Sequence, residues 1–232
     1  QITININFPP SGGTLISKVE EATSLVDFIT LTTFGWNDLT TDLPLKYSFY
    51  QVIQLPNGET YDLPLNTFPQ ASPEFTFIAP VVEKEEIITF KVIAFDNKNA
   101  AASATTTVKV LPFEKEPNES YEKFAEKLMN EYLPVFLNEG NFDKIIHQID
   151  SVAQVLQFST QTDPESIKTR TELKHKLIEI YGETFKSNIK FINGDLRKSV
   201  ITTITKLVEK PNEINQDSSS QTLDILSLTF NT

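Results

Sequence analysis

The chain has 232 residues, of which 39% are hydrophobic and 22% charged, so it can bury a core and has the composition of a globular protein. Its net charge of −11 argues against nucleic acid and anionic membranes as main partners, because an acidic surface repels phosphate groups. The absence of cysteine excludes disulfides, thiolate metal sites and cysteine catalysis. No apolar run approaches about 18 residues, so we expect no membrane insertion by this segment. The chain begins within a strand-like pattern, as a fragment of a longer protein would.

Residues 1–113 have the pattern of β-strands. Alternating or β-branched segments occur in the order TININF, SLVDFITLTTF, KYSFYQVI, EFTFIA, IITFKVIAFD and TTTVKVLPF. Turn sequences separate them, and Asn57-Gly58 is a strong hairpin signal. In the strand IITFKVIAFD, one face carries Ile88, Phe90, Val92 and Ala94. In all, about seven candidate strands over these residues predict an antiparallel β-sandwich of the immunoglobulin or fibronectin type III kind.

Residues 114–232 have the pattern of α-helices, after the polar linker FEKEPNES. Ser120 is a candidate N-cap of the first helix, and Asp163 followed by proline is a clear helix start. About four helices of about 13 to 20 residues are predicted, whereas the tail TLDILSLTF is ambiguous between helix and strand. Because strands and helices are segregated, the predicted fold class is α+β, with a sandwich domain at 1–113 and a helical domain at 114–232.

The predicted helices carry apolar stripes that need cover. In the first helix the stripe consists of Tyr121, Phe124, Leu128, Tyr132 and Val135, and in the second it consists of Ile145, Ile149, Val152 and Leu156. We therefore expect the helices to bundle together and to dock on the sandwich.

Catalytic chemistry has no clear signature in this sequence. The two histidines, His147 and His175, stand in separate predicted helices without the spacing of a triad or a metal site, so we interpret them as helical surface residues. Glu83, Glu85 and Glu86 form a charge run that we expect to be a solvated loop rather than a catalytic carboxylate pair. No catalytic residue and no cofactor are predicted.

Two features have a binding interpretation beside a structural one. Asp96, Asn97 and Asn99 could offer oxygen ligands to calcium, but a turn held by Asx hydrogen bonds is the preferred interpretation, and no metal is predicted. Trp36, the only tryptophan, is expected in the core because its large surface dominates packing, with an exposed ligand platform as the alternative.

The string from Gly12 to Phe49 resembles the receptor-for-egg-jelly (REJ) module of polycystin-type membrane proteins and ciliate surface proteins. The elements that carry the resemblance are a Gly-Gly-Thr start, an extended segment, Gly-Trp, an acidic loop and Pro-Leu-x-Tyr-x-Phe; they correspond here to Gly12, Gly13, Thr14, Phe28 to Leu31, Gly35, Trp36, Asp38, Pro44, Leu45, Tyr47 and Phe49. The chain departs from the family at SKVEEATS, where members often have proline and glycine, and it lacks the cysteines of vertebrate members.

The resemblance implies a non-catalytic, extracellular structural or adhesion module of a larger membrane-anchored protein at the cell surface or the cilium. Its partners would be other proteins or neighbouring domains of the same chain. Asn118 begins an N-glycosylation sequon in the linker and is a candidate glycan site if the segment is extracellular.

Two alternatives remain open from the sequence. The first is an intracellular adaptor whose helical half binds a partner helix, which requires an exposed apolar stripe. The second is a carbohydrate-binding protein or enzyme, which requires an exposed aromatic patch or a pocket with facing carboxylates.

Overall fold

The computed structural model describes residues 7–55, 57–188 and 194–230. The chain divides into two compact units, Gln1–Pro112 and Phe113–Thr232. Four of the six residues of the predicted strand TININF lie in residues 1–6, outside the described residues, and the other two, Asn7 and Phe8, are not in a strand. The first unit is built from strands and the second from helices, so the predicted α+β class is confirmed.

The described residues of the first unit form two sheets. Their strands are β1 (Thr14–Ser17), β2 (Glu21–Thr23), β3 (Phe28–Phe34), β4 (Lys46–Gln54), β5 (Thr60–Pro64), β6 (Glu74–Ile78), β7 (Glu86–Phe95) and β8 (Ala101–Leu111). β1, β3 and β6 form a three-stranded antiparallel sheet, in which β3 is central. The other sheet has the order β2-β8-β7-β4-β5; its pairs are antiparallel except β2, which runs parallel to β8. The chain thus changes sheets between β1 and β2.

The sandwich core lies between the two sheets. Phe77 of the three-stranded sheet meets Phe90 of the other sheet edge-to-face, with ring centroids 5.3 Å apart. Ile88, Phe90, Val92 and Ala94 are all buried, as predicted for one face of β7. β4 and β5 form the predicted hairpin, with Gly58 at a positive φ in the connection. The period-two pattern therefore identified the buried face of the central strands correctly.

Within residues 113–188 and 194–230, the second unit contains five α-helices: α1 (Tyr121–Glu139), α2 (Phe142–Gln157), α3 (Pro164–Asn188), α4 (Gly194–Val208) and α5 (Gln216–Phe230). The predicted caps are present. Ser120 Oγ accepts from the Lys123 N–H at 3.2 Å, and Asp163 Oδ1 accepts from the Ser166 N–H at 2.9 Å. The ambiguous tail lies in α5, and its buried residue Ile225 packs against α3 at Gly182, where an added Cβ would lie 3.4 Å from Ile225 Cδ1.

One stripe prediction is wrong in part. In α1, Phe124 and Leu128 are buried, but Val135 is 52% exposed, and Leu133 and Phe136 are buried instead. The reason is that α1 contacts both α2 and α3, which rotates and widens its buried face beyond a single row. In α2, all of the predicted residues Ile145, Ile149, Val152 and Leu156 are buried.

The helices pack on one another through both apolar and polar contacts. Gln148 of α2 donates to the Leu128 carbonyl of α1 at 3.1 Å, and Lys206 of α4 contacts Asp150 of α2 at 2.6 Å. The expected bundling of the helices is therefore confirmed. Within the described residues, no helix combines the length and apolarity needed to cross a membrane.

Candidate functional sites

The first candidate site is the corner formed by the start of β1 and the end of β3. Ser11 and Asn37 exchange two backbone hydrogen bonds, of 2.9 and 2.8 Å. Gly12 and Gly35 both have φ of +76°, the left-handed region that favours glycine. A Cβ on Gly13 would lie 2.0 Å from Cδ2 and Cε2 of Trp36. The Gly-Gly and Gly-Trp elements are thus opposite sides of one tight corner.

Trp36 is half-buried and packs against the sandwich core. Its indole Nε1–H donates to Thr33 Oγ1 at 2.6 Å, and that hydroxyl donates to the Thr14 carbonyl at 2.9 Å. Because the only polar atom of the indole is satisfied within the fold, Trp36 acts here as a packing residue that closes one end of the core.

The second half of the same string lies on β4. Pro44 and Leu45 precede the strand, and Leu45 is buried. Phe49 is fully buried and stacks on Phe75 of β6 at a centroid distance of 5.7 Å, while Tyr47 is half-buried against the same core. Leu45, Tyr47 and Phe49 therefore belong to the packing of the sandwich, whereas Pro44 is exposed.

The second candidate site is an acidic cluster at one end of the sandwich. Asp38 follows β3, Asp42 ends a 3₁₀ turn (Thr40–Asp42) and Asp96 follows β7. One carboxylate oxygen of each lies within 4.8 Å of the others. Among the described residues, this is the only group of three or more acidic or histidine side chains close enough to hold a metal ion.

Asp96 belongs to both a turn and this cluster. Its Oδ1 accepts from the N–H groups of Lys98 and Ala100, each at 2.8 Å, which is the predicted Asx turn. Its Oδ2 accepts from Asn7 Nδ2 at 2.7 Å. Burial acts to raise the pKa of Asp96, but these hydrogen bonds, first that of Asn7, outweigh it and lower the pKa below its ordinary value.

The other two residues of the predicted loop have different places. Asn97 Nδ2 donates to the carbonyls of Thr41 and Leu43, each at 3.0 Å, and so ties the β7–β8 turn to the 3₁₀ turn. Asn99 adopts φ of +66° inside the turn. The structure thus brings Asp96 together with Asp38 and Asp42, two carboxylates that the sequence analysis did not place there.

The third candidate site is a buried ionic network in the helical unit, which the sequence analysis missed. Arg170 of α3 donates through Nη1 to Glu122 Oε1 at 2.6 Å and through Nε to Glu213 Oε1 at 2.8 Å. Lys174, one turn further along, donates to Glu213 Oε2 at 2.7 Å. Ser159 Oγ donates to Glu122 Oε1 at 2.5 Å. The four charged side chains are at most 4% exposed, and their formal charges cancel.

This network shifts the pKa of each acid in the same direction. Burial acts to raise the pKa of Glu122 and of Glu213, but hydrogen bonds from Ser159 and Arg170 in one case and Lys174 and Arg170 in the other lower both. The pKa of Lys174 is lowered because its burial outweighs the contact with Glu213. Through these buried charges, the network links α1 and α3 to each other and to the 3₁₀ turn Pro211–Glu213.

A sequence signal for this network was present in α3. The buried stripe of that helix runs through Arg170, Lys174, Leu177 and Tyr181, so two cations occupy positions at core spacing. Cations at such positions require buried acids, because unpaired interior charges are very costly. The sequence could not say which acids these are, since Glu122 and Glu213 are distant along the chain.

Comparison with known protein families gives the family of this chain. The family model for the REJ domain matches residues 1–148. The chain belongs to the REJ domain family. The match covers the sandwich, α1 and the first part of α2, and it includes all of the signature residues from Gly12 to Phe49. The resemblance drawn from those residues is therefore confirmed.

A search of curated proteins finds no match. Among solved structures, the REJ chain is similar to the fibronectin type III domain of human fibronectin type III domain containing protein 3, with 11% identity and a TM-score of 0.34, covering 50% of this chain and 98% of that one. It is also similar to a 2,6-sialyltransferase of Photobacterium sp. JT-ISH-224, with 8% identity and a TM-score of 0.24, covering 91% of this chain and 64% of that one. Neither likeness bears on activity.

The remaining predicted residues of the REJ chain lie apart from these clusters. Asn118 is exposed in a turn of the linker that precedes α1. His147 and His175 are both half-buried rather than fully on the surface, and His175 Nδ1 lies 3.0 Å from Ser218 Oγ of α5. Glu83 and Glu85 are exposed in the loop before β7, as expected, whereas Glu86, which is also exposed, is the first residue of β7.

Proposed function

We propose that this REJ chain is a non-catalytic, extracellular module of a larger, membrane-anchored protein at the cell surface or the cilium. In this proposal it acts as a structural or adhesion element through contacts with protein partners or with neighbouring domains of its own chain. The observation that carries the proposal is the family match over residues 1–148.

The roles of the signature residues support a structural module. Gly35 and Trp36 form a closed corner, and Tyr47 and Phe49 pack into the sandwich core, so the residues that define the family serve the fold here. Outside the acidic cluster, buried polar side chains link elements of the fold, as where Arg170 donates to Glu213. Because the residues that define the family stabilise the fold, the chain fits the role of a spacer or contact element.

The capacity of Asn118 to carry an N-glycan is tested first. The chain is expressed through the secretory pathway of a eukaryotic cell and treated with a peptide N-glycosidase. We expect a glycan on the wild type that is lost in Asn118→Gln, because the sequon is exposed. The matched control is Ser120→Thr, which keeps both the sequon and a hydroxyl at the helix cap.

The second test uses the full-length protein in its own cell. An epitope tag is inserted in the exposed Glu83–Glu85 loop, and antibody labelling is compared before and after permeabilisation. Labelling of intact cells supports an extracellular module. Labelling only after permeabilisation overturns the proposal and favours the intracellular adaptor.

A further inference from the structure

The acidic cluster of the sandwich contains buried oxygens that no donor satisfies. Asp42 is fully buried, and its Oδ2 accepts no hydrogen bond within the described part of the chain. The same holds for Oδ2 of Asp38 and for Oδ1 of Asn7, whose amide nitrogen is bound to Asp96. A buried acceptor without a donor costs free energy, and a buried carboxylate costs more than a neutral group.

The charges at this end of the sandwich are also unbalanced. Three carboxylates approach within 4.8 Å of one another, and like charges at that distance repel strongly when water is excluded. Within the described residues, the cation that pairs with this cluster is Lys98, whose ammonium binds Asp42 Oδ1 while its side chain is 52% exposed. One flexible, half-solvated lysine leaves the other two carboxylates without a full counter-charge.

We propose that Asn7, Asp38, Asp42 and Asp96 form a binding site for Ca²⁺. All of the available ligand atoms are carboxylate or amide oxygens, which hard cations prefer. Two oxygens on one Ca²⁺ are at most about 5 Å apart, because each bond is about 2.3–2.6 Å long, so the observed spacing accommodates the ion. Mg²⁺ is disfavoured, because it demands near-ideal octahedral geometry and shorter bonds.

Binding of Ca²⁺ leaves the Asx turn of Asp96 intact. Oδ1 of Asp96 remains on the N–H groups of Lys98 and Ala100, so Asp96 would offer the cation its Oδ2, which accepts a single hydrogen bond, from Asn7. The unpaired oxygens of Asn7, Asp38 and Asp42 supply the other protein ligands. Lys98 competes for the same carboxylates, and its long exposed side chain can leave Asp42 for solvent when Ca²⁺ enters. Water completes the coordination shell, since Ca²⁺ takes 6–8 oxygen ligands.

A Ca²⁺ ion at this place joins segments that are distant along the chain. Asn7 lies in the segment before β1, Asp38 and Asp42 lie between β3 and β4, and Asp96 lies at the β7–β8 turn. Binding would fix the segment at Asn7 to the end of the sandwich and so set the direction in which the chain enters the module. This makes the rigidity of that end dependent on Ca²⁺.

The test measures Ca²⁺ binding to the full 232-residue chain by titration calorimetry, with Tb³⁺ luminescence as a second probe. Trp36 is the only tryptophan and is two residues from Asp38, so excitation of the indole should sensitise a bound Tb³⁺. We expect saturable binding of Ca²⁺ with Kd of about 10⁻⁴–10⁻³ M, the range of extracellular modules, and weaker binding of Mg²⁺. We also expect Ca²⁺ to raise the melting temperature of the sandwich.

Two variants are expected to change the affinity in opposite directions. Asp38→Asn keeps an oxygen that can accept the Leu39 N–H but removes a charge, so Ca²⁺ should bind about tenfold more weakly. Lys98→Gln removes the competing cation, so Ca²⁺ should bind severalfold more tightly, which a folding defect would not produce. The matched control is Asp62→Asn, which removes the carboxylate paired with Lys91 on the same sandwich and should bind as the wild type does.

The proposal is overturned if the wild type shows no saturable Ca²⁺ binding up to about 10 mM, an upper limit above the usual range of extracellular sites. It is also overturned if Asp38→Asn binds as tightly as Asp62→Asn, or if Lys98→Gln gains no affinity. Equal affinities for Mg²⁺ and Ca²⁺ would overturn the assignment to calcium. Circular dichroism in the presence of EDTA shows that each variant is folded before its binding is compared.

Discussion

Gly13→Ala should destabilise the sandwich because of one specific clash. The added Cβ would lie 2.0 Å from Cδ2 and Cε2 of Trp36, whereas carbon atoms in contact are about 3.5–4.0 Å apart. The indole must therefore move outwards. In moving it leaves the core edge and breaks the hydrogen bond from its Nε1–H to Thr33 Oγ1.

The cost follows from what the indole loses. Loss of the hydrogen bond contributes about 1 kcal/mol. Removing a fully buried tryptophan costs about 3–5 kcal/mol, so displacing this half-buried one should cost about 1.5–2 kcal/mol. Alanine offsets about 0.5 kcal/mol by restricting the unfolded chain, because Gly13 does not require a positive φ. We expect a net loss of about 2 kcal/mol, or about 8 °C in the melting temperature of a unit of this size.

A double-mutant cycle isolates the clash. Wild type, Gly13→Ala, Trp36→Ala and the double variant are compared by differential scanning calorimetry, which resolves the sandwich without relying on tryptophan fluorescence. In the Trp36→Ala background the clash is absent, so Gly13→Ala should become neutral or stabilising by up to about 1 kcal/mol. The single variant should also show red-shifted tryptophan emission.

The cycle can also refute the reasoning. If Gly13→Ala costs the same with and without the indole, the strain lies in the backbone at Gly13 and not in contact with Trp36. If Gly13→Ala changes the stability by less than about 0.5 kcal/mol, the corner is loose, and Trp36 returns to the interpretation as an exposed platform.

The helical unit offers three further predictions, each followed by circular dichroism at 222 nm. Glu213→Gln should cost about 3–5 kcal/mol because it leaves buried cations without a counter-charge. Glu172→Gln, in an exposed pair on α3, the helix that carries those cations, should cost less than about 1 kcal/mol; similar costs would contradict a buried network. Folding lowers the pKa values of Glu122 and Glu213, so their ionised forms stabilise the folded helical unit. This stabilisation is complete above the ordinary glutamate pKa of about 4.3 and is lost as the pH falls through the lower pKa values of the folded state. An unchanged urea midpoint of the helical unit between pH 6 and about pH 3 would contradict this. Asp163→Ala should cost about 1 kcal/mol by removing the N-cap, and Asp163→Ser should restore most of it.

Local structure was largely predictable from the sequence because its causes are local. Alternation of residues in β7 identified the face that is buried, and Asn57-Gly58 identified a hairpin. Ser120 and Asp163 cap the helices that they were expected to cap, because a side-chain oxygen and an N–H three residues later meet in any helix start. The family resemblance was also readable, since its residues lie within one short string.

Contacts between distant segments were not predictable in the same way. The exposed Val135 shows that a stripe predicts amphipathicity but not which neighbours a helix has. The short strands β1 and β2 have too few residues to produce a periodic signal, and β2 is defined by its parallel pairing with β8. Such features depend on contacts with segments that are distant along the chain, and the local sequence does not identify those segments.

The sequence by itself determined the α+β class, the order of most elements and the family. Only the tertiary structure decided that Asp38, Asp42 and Asp96 lie within 4.8 Å of one another, and that Arg170 meets both Glu122 and Glu213. The physical reason is that secondary structure follows from hydrogen bonds and periodicity within a few residues, whereas a charge cluster requires the packing of whole sheets and helices to bring its members together. The acidic cluster and the ionic network of this chain therefore form only where segments that are distant in the sequence pack together.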